Sequence, residues 1–107
     1  MNKTMDNIAA ATLAARNGGK EWRNGNYEVY IEGDEVGTAY RGTVVARFVD
    51  GAVWLDAASW HTPTTKNVIN AALSGTPYSV YQKNYAWFVT GNGETRDFEN
   101  CMKLQLA

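Results

Sequence analysis

The sequence predicts a single α+β domain over residues 1–107, with a mainly antiparallel sheet of five to six strands and two helices, in the order α-β-β-β-α-β-β-β. Helix-type segments with capping residues occur at the N-terminus and again after Thr62. Elsewhere, short β-type segments are joined by tight-turn dipeptides such as Asp50-Gly51. Because hairpins place neighbouring strands antiparallel, we expect one such sheet with the helices on one face.

The first helix is predicted over residues 4–17. Thr4 or Asp6 is a suitable N-cap, and the alanine-rich residues 9–15 have high helix propensity. Gly18-Gly19 predicts its end, because glycine readily adopts the left-handed conformation that closes a helix. We expect this narrow apolar face to pack closely against the sheet.

Three strands are predicted before the second helix. Residues 27–32 alternate between apolar and polar side chains after the turn signal Asn24-Gly25. Residues 43–49 and 52–56 follow as a hairpin, and Gly33-Asp34 and Gly37 interrupt the pattern before it.

The second helix is predicted to begin at Thr62-Pro63, where threonine caps and proline lacks an N–H that the first turn does not need. Gly75 and Pro77 predict its end. Two strands then surround a turn at Lys83-Asn84. Residues 95–106 form a last β segment that turns near Glu99-Asn100, with a short helix as the alternative.

Composition excludes several classes of protein. A formal net charge of -1 and a pI of about 5.7 argue against nucleic-acid binding driven by bulk positive charge. The one cysteine, Cys101, permits no intrachain disulfide and indicates a reducing compartment. No signal-peptide pattern or segment approaching about 18 apolar residues is found, so we expect a cytoplasmic protein without membrane contact.

No pattern of catalytic or metal-binding residues is recognisable. His61 is the one histidine, and neither Ser59 nor Cys101 lies in a known nucleophile motif, so we interpret His61 as a surface or capping residue. The carboxylates near the predicted turns lack the spacing of a calcium loop and are interpreted as solvated: Glu32, Asp34, Glu35, Asp50 and Asp56. We expect no enzyme activity, no cofactor and no metal.

Aromatic residues between residues 78 and 88 offer two interpretations. Tyr81, Lys83 and Tyr85 would share one strand face if the turn allows, with Trp87 nearby, and exposed rings on a sheet can stack single-stranded bases. Alternatively, every second ring fills the core. This second interpretation is favoured, because a protein with an acidic pI offers little electrostatic attraction to nucleic acid.

The segment VWLDAASWHTPTTKNVIN at residues 53–70 resembles a signature of small accessory proteins of tailed bacteriophages and prophages, of unknown function. A strand leads to an aromatic step at Trp60, a Thr-x-Thr-Thr-Lys helix start, and an asparagine one turn further on. The resemblance covers roughly residues 27–106 and leaves out the N-terminal helix. The chain departs from it at Ala57-Ala58, where glycines are usual, and at Asn67, where a basic residue is usual.

The resemblance implies a phage accessory protein in the host cytoplasm. Proteins of this kind often block a host protein, so an anti-CRISPR-like or other anti-defence role is expected by analogy. Within the signature, Thr64, Thr65 and Lys66 could bind an anion at the helix start, although helix capping is the favoured interpretation.

We therefore predict a non-enzymatic phage protein that binds a host or phage protein, with single-stranded nucleic acid as the alternative ligand. Aromatic side chains dominate interface energetics, so the exposed aromatic residues are the expected anchors. A sheet edge could also pair with a second copy. The candidate interface residues are Trp22, Tyr30, Tyr40, Trp60, Thr64, Thr65, Lys66, Tyr81, Lys83, Tyr85 and Trp87.

Overall fold

The computed structural model describes residues 3–106, in which nine strands form two antiparallel sheets accompanied by two helices. Six strands pair in the order β1-β2-β3-β4-β5-β9, and three pair in the order β6-β7-β8. This confirms the predicted α+β class. The elements are α1 (Lys3–Arg16), β1 (Trp22–Asn24), β2 (Tyr27–Glu32), β3 (Glu35–Tyr40), β4 (Thr43–Val49), β5 (Ala52–Leu55), α2 (Pro63–Ala72), β6 (Ser79–Lys83), β7 (Ala86–Gly91), β8 (Glu94–Asp97) and β9 (Met102–Gln105).

The predicted order, with three strands before the second helix and three after it, is wrong in number. The structure has five strands before α2 and four after it. The main difference is β3, which contains Gly37, a residue interpreted from the sequence as a break. The Tyr30 ring lies over Gly37 on the neighbouring strand, where a Cβ atom would collide with it. The ring thus replaces the missing side chain, and the glycine is part of a regular strand.

The helix ends follow the predicted chemistry except at the start of α1. Gly18 takes φ +86° and Gly19 N–H donates to the Ala14 carbonyl (2.8 Å), as in a Schellman cap. The helix is already formed at Lys3, so Thr4 and Asp6 lie inside its first turn rather than at the N-cap. The residue before Lys3 is outside the described residues.

Both helices pack on one face of the six-stranded sheet, against β2, β3 and β4. On that face, four buried residues are cross-strand neighbours on β2, β3, β4 and β5. They are Val29, Thr38, Ala46 and Leu55. At its centre, the Thr12 and Thr38 hydroxyls, each on a residue 1% exposed, form a 2.8 Å hydrogen bond. A polar contact therefore fixes α1 above the middle of the sheet.

Two asparagine side chains connect the three-stranded sheet and the loop that follows it to the rest of the protein. Asn70 of α2 donates to the Val80 carbonyl (2.8 Å) and accepts from the Val80 N–H (2.7 Å). Asn100 accepts from the Ala57 N–H (3.0 Å) and donates to the Ala58 carbonyl (2.7 Å). The Asn70 amide meets both backbone groups of one residue, as a neighbouring strand would, and so holds β6 beside α2. The Asn100 amide ties the β8–β9 loop to the loop before α2.

We predict that Thr12→Val lowers the free energy of unfolding by about 1–3 kcal/mol, because the Thr38 hydroxyl is left buried without its partner. The double variant Thr12→Val/Thr38→Val should lose less than the sum of the two single losses, since no unpaired hydroxyl remains. Urea denaturation measures all three variants. Strictly additive losses would contradict a direct contribution of this hydrogen bond.

Candidate protein-binding surface

Within residues 3–106, four hairpins have two-residue turns in which both residues take positive φ. This is the type I′ turn, whose second position favours glycine. Three of the four have glycine there, and the fourth has Tyr85. The pairs and their φ angles are Arg41-Gly42 (51° and 81°), Asp50-Gly51 (53° and 72°), Asn92-Gly93 (52° and 77°) and Asn84-Tyr85 (52° and 68°).

Tyr85 lies at the tip of the β6–β7 hairpin, and its side chain is 97% exposed. A left-handed backbone costs a residue with a Cβ atom roughly 1–2 kcal/mol. Because the ring is almost fully in solvent, burial of apolar surface does not offset this cost. A strained bulky residue that the fold does not use is a signal of function, so Tyr85 is the first residue of the candidate site.

Next to this tip, the outer face of the three-stranded sheet carries an aromatic pair. Tyr81 and Phe88 are cross-strand partners whose rings stack with centroids 5.4 Å apart and planes at 28°. Tyr81 is 38% exposed, and the exposed Lys83 lies two residues further along the same face. We call the surface formed by Tyr81, Lys83, Tyr85 and Phe88 the hairpin-tip surface.

Trp87 lies on the opposite face of the same sheet and is 7% exposed. Its ring packs against His61 (centroids 4.7 Å apart) and Phe98 (5.3 Å). Trp87 is therefore not available for stacking beside Tyr81 and Tyr85. Instead, it joins the three-stranded sheet to the loop before α2.

The outer face of the three-stranded sheet has nearly balanced charge. Of its residues, Lys83 is basic and Asp97, the register partner of Phe88, is acidic. The others are Ser79, Tyr81, Ala86, Phe88, Thr90 and Thr95. Single-stranded nucleic acid is bound by positively charged grooves with aromatic rings, whereas exposed aromatic residues with little net charge are typical of the centre of a protein interface.

A second group of the predicted residues lines a cavity of about 220 Å³ between the β3–β4 turn and the loop before α2. Trp60 is 59% exposed at its mouth, and Tyr40 stacks on Tyr27 with ring centroids 5.3 Å apart. The remaining lining residues are Arg41, Thr62 and Thr65.

The start of α2 is capped by the protein itself. Thr62 is the N-cap, and its Oγ1 accepts a 3.2 Å hydrogen bond from the Thr65 N–H. Thr65 is 1% exposed, while Thr64 and Lys66 are half-buried in the same turn. These contacts favour the capping interpretation of the threonines over direct anion binding by them.

Trp22 and Tyr30 lie apart from the hairpin-tip surface, on the six-stranded sheet. Trp22 is half-buried on β1 and packs against the core. The Tyr30 hydroxyl donates to Glu35, and burial together with this hydrogen bond raises the pKa of Tyr30. The contacts of both residues thus stabilise the six-stranded sheet.

The His61 ring and the Cys101 thiol, two groups that catalysis could use, each have a partner within the protein. The His61 ring packs on Trp87 and Phe98. The Cys101 thiol donates to the Asp56 carboxylate (3.3 Å), which raises the pKa of Cys101 and so disfavours the reactive thiolate. Across residues 3–106, no three His, Cys, Asp or Glu side chains converge as a metal site.

The fold and this surface define a small α+β protein of two antiparallel sheets whose most exposed aromatic ring lies at a hairpin tip. The chain belongs to the Kyanoviridae Gp96 protein family, whose family model matches residues 5–105, and it is therefore a phage accessory protein. The family model includes most of α1, whereas the phage-protein resemblance described above was expected to leave this helix out. No curated protein and no solved structure matches the chain.

No helix within the described part of the chain is long and apolar enough to cross a membrane.

We predict that Tyr85→Gly raises the free energy of unfolding by about 0.5–1 kcal/mol, because glycine relieves the left-handed strain while little ring burial is lost. Thermal or urea denaturation measures the change.

The matched control for this prediction is Gly93→Ala in the neighbouring turn, which should lower stability because it creates the same strain. A clear loss of stability in Tyr85→Gly would contradict the prediction and would show that the ring packs against the protein.

Proposed function

We propose that this phage accessory protein acts by binding another protein through the hairpin-tip surface, without catalysis. Tyr85 is the observation that supports this proposal. Its backbone is held in a conformation that favours glycine, and its ring is 97% exposed. Tyrosine is among the residues that contribute most to interfaces, because a large rigid ring is buried there with one polar group. Burial against a partner would offset the cost of the turn.

The surface around Tyr85 has the composition of an interface centre. Tyr81 and Phe88 supply a flat apolar area beside the tip, and Lys83 supplies one charge that can pair with a carboxylate of the partner. A standard interface takes about 800 Å² from each partner. We therefore expect neighbouring loops to form a polar rim around these side chains.

Nucleic acid remains the alternative ligand, but two features favour a protein. Trp87 is turned inward against His61, which removes one ring from the proposed stacking face. Lys83 and Asp97 balance each other, so the face offers little attraction to a phosphate backbone.

A host protein is the favoured partner, because a small phage protein can block a larger host assembly simply by covering part of its surface. Inhibition of a host defence complex, in the manner of an anti-CRISPR protein, is one form of this activity, and interference with a regulatory complex is another. Both forms place the protein in the host cytoplasm. They rest on analogy with other phage accessory proteins.

The proposal predicts that tagged protein captures a discrete partner from host-cell lysate, that nuclease treatment does not release it, and that Tyr85→Gly abolishes or strongly weakens the capture. Truncation of a central aromatic anchor commonly costs about 2 kcal/mol or more, which is roughly a thirtyfold loss of affinity. The readout is the partner band in affinity purification followed by mass spectrometry.

Because Tyr85→Gly is expected to be more stable than the wild type, loss of capture cannot be attributed to unfolding. Asn92→Ala, in the neighbouring turn, is the matched control and should retain the partner. Capture that is unchanged in Tyr85→Gly would contradict a role for this surface. Recovery of nucleic acid, with every protein lost on nuclease treatment, would support the alternative ligand.

A further inference from the structure

The cavity beside Trp60 lies apart from the residues of the hairpin-tip surface and has the features of a small ligand site. It measures about 220 Å³ and lies between the β3–β4 turn and the loop before α2. Pockets for drug-sized ligands measure roughly 300–1,000 Å³. The space therefore suits one ring system with a small substituent rather than a larger molecule.

Two of the residues that line the cavity are aromatic. Tyr40 stacks on Tyr27 with planes at 17°, so its ring is held by a neighbouring ring. The backbone N–H of Trp60 donates to the Ala57 carbonyl (2.8 Å), and the Ala57 N–H donates to Asn100, so the backbone at Trp60 is tied to the β8–β9 loop while its indole is 59% exposed. A planar ring that enters the cavity can therefore contact an ordered tyrosine and an accessible indole.

A guanidinium group supplies positive charge at the same place. Arg41 lies with its Cζ atom 5.8 Å from the centre of the Tyr40 ring and also lines the cavity. Within residues 3–106 the ion pair that forms is Arg47–Glu35, so Arg41 forms none, although Glu28 lines a neighbouring cavity together with Arg41. The cavity also borders the amino end of α2, whose first turn contains Lys66 and no acidic residue.

We propose that this cavity binds a planar aromatic ring that carries an anionic group, the chemistry of a nucleoside monophosphate. The ring stacks at Trp60 and Tyr40, and the anion pairs with the Arg41 guanidinium. Stacking on aromatic side chains tolerates different bases, and guanidinium binds phosphate with two parallel hydrogen bonds. A free nucleotide and the phosphorylated 5′ end of a strand present the same group to the site.

The test is a titration followed by two-dimensional NMR of the indole N–H signals of the four tryptophans. AMP should shift the Trp60 signal in a saturable manner and leave those of Trp22, Trp54 and Trp87 nearly unchanged. Adenosine has the ring without the anion, and inorganic phosphate has the anion without the ring. Each should therefore bind at least about tenfold more weakly than AMP. Comparison of AMP with oligonucleotides bearing a 5′-phosphate or a 5′-hydroxyl distinguishes a free nucleotide from a strand end.

Two variants and one control make the outcome decisive. Arg41→Gln should weaken AMP binding about tenfold while adenosine binding stays the same. Trp60→Ala removes the indole signal, so its binding is followed through the backbone amide signals of Arg41 and Thr62, and it should abolish the binding of both compounds. Arg96→Gln, which changes an exposed arginine of β8, should change neither. The proposal is overturned by an absence of Trp60 shifts at millimolar AMP, by equal affinity for AMP and adenosine, or by AMP affinity that is indifferent to Arg41→Gln.

Discussion

The geometry of the hairpin-tip surface depends on how the three-stranded sheet is attached to the body of the protein. Asn70 meets both backbone groups of Val80 on β6, and Asn100 meets the loop at Ala57 and Ala58. Trp87 of β7 also packs against His61 and Phe98. These contacts hold the inner face of the three-stranded sheet and leave its outer face and hairpin tip exposed.

Local patterns predicted those elements whose residues interact within a few positions. The Asp50-Gly51 hairpin, the glycine end of α1 and the capped start of α2 all depend on short-range chemistry. The division into two sheets and the strand around Gly37 were not predicted. Both depend on contacts between distant segments, such as the pairing of β5 with β9.

The candidate site was predicted in part, and a shift of one residue in a turn explains the position of Tyr85. A turn at Lys83-Asn84 makes Tyr85 an ordinary strand residue, whereas the turn occupies Asn84-Tyr85. The shift takes Tyr85 out of the strand and places it at the tip, but it does not change the faces of the following residues: Trp87 pairs with Gln82 and faces inward, while Phe88 pairs with Tyr81 on the outer face. The signal in the sequence was Asn-Tyr in a position where the neighbouring hairpin has Asn-Gly. Within residues 53–70, the residues of the Thr-x-Thr-Thr-Lys pattern and its neighbours have structural roles: Thr62 caps α2, Asn70 bonds to β6, and Ala58 takes φ +51°, a conformation that favours glycine.

The central claim is that Tyr85 contacts a protein partner directly. The most direct measurement is site-specific photo-crosslinking in host-cell lysate, with a benzoylphenylalanine at position 85 and, in a second variant, at position 92 in the next turn. If Tyr85 lies in the interface, position 85 crosslinks to one discrete protein and position 92 does so much more weakly. A crosslink from position 92 alone, or crosslinks from position 85 to nucleic acid and not to protein, would contradict it.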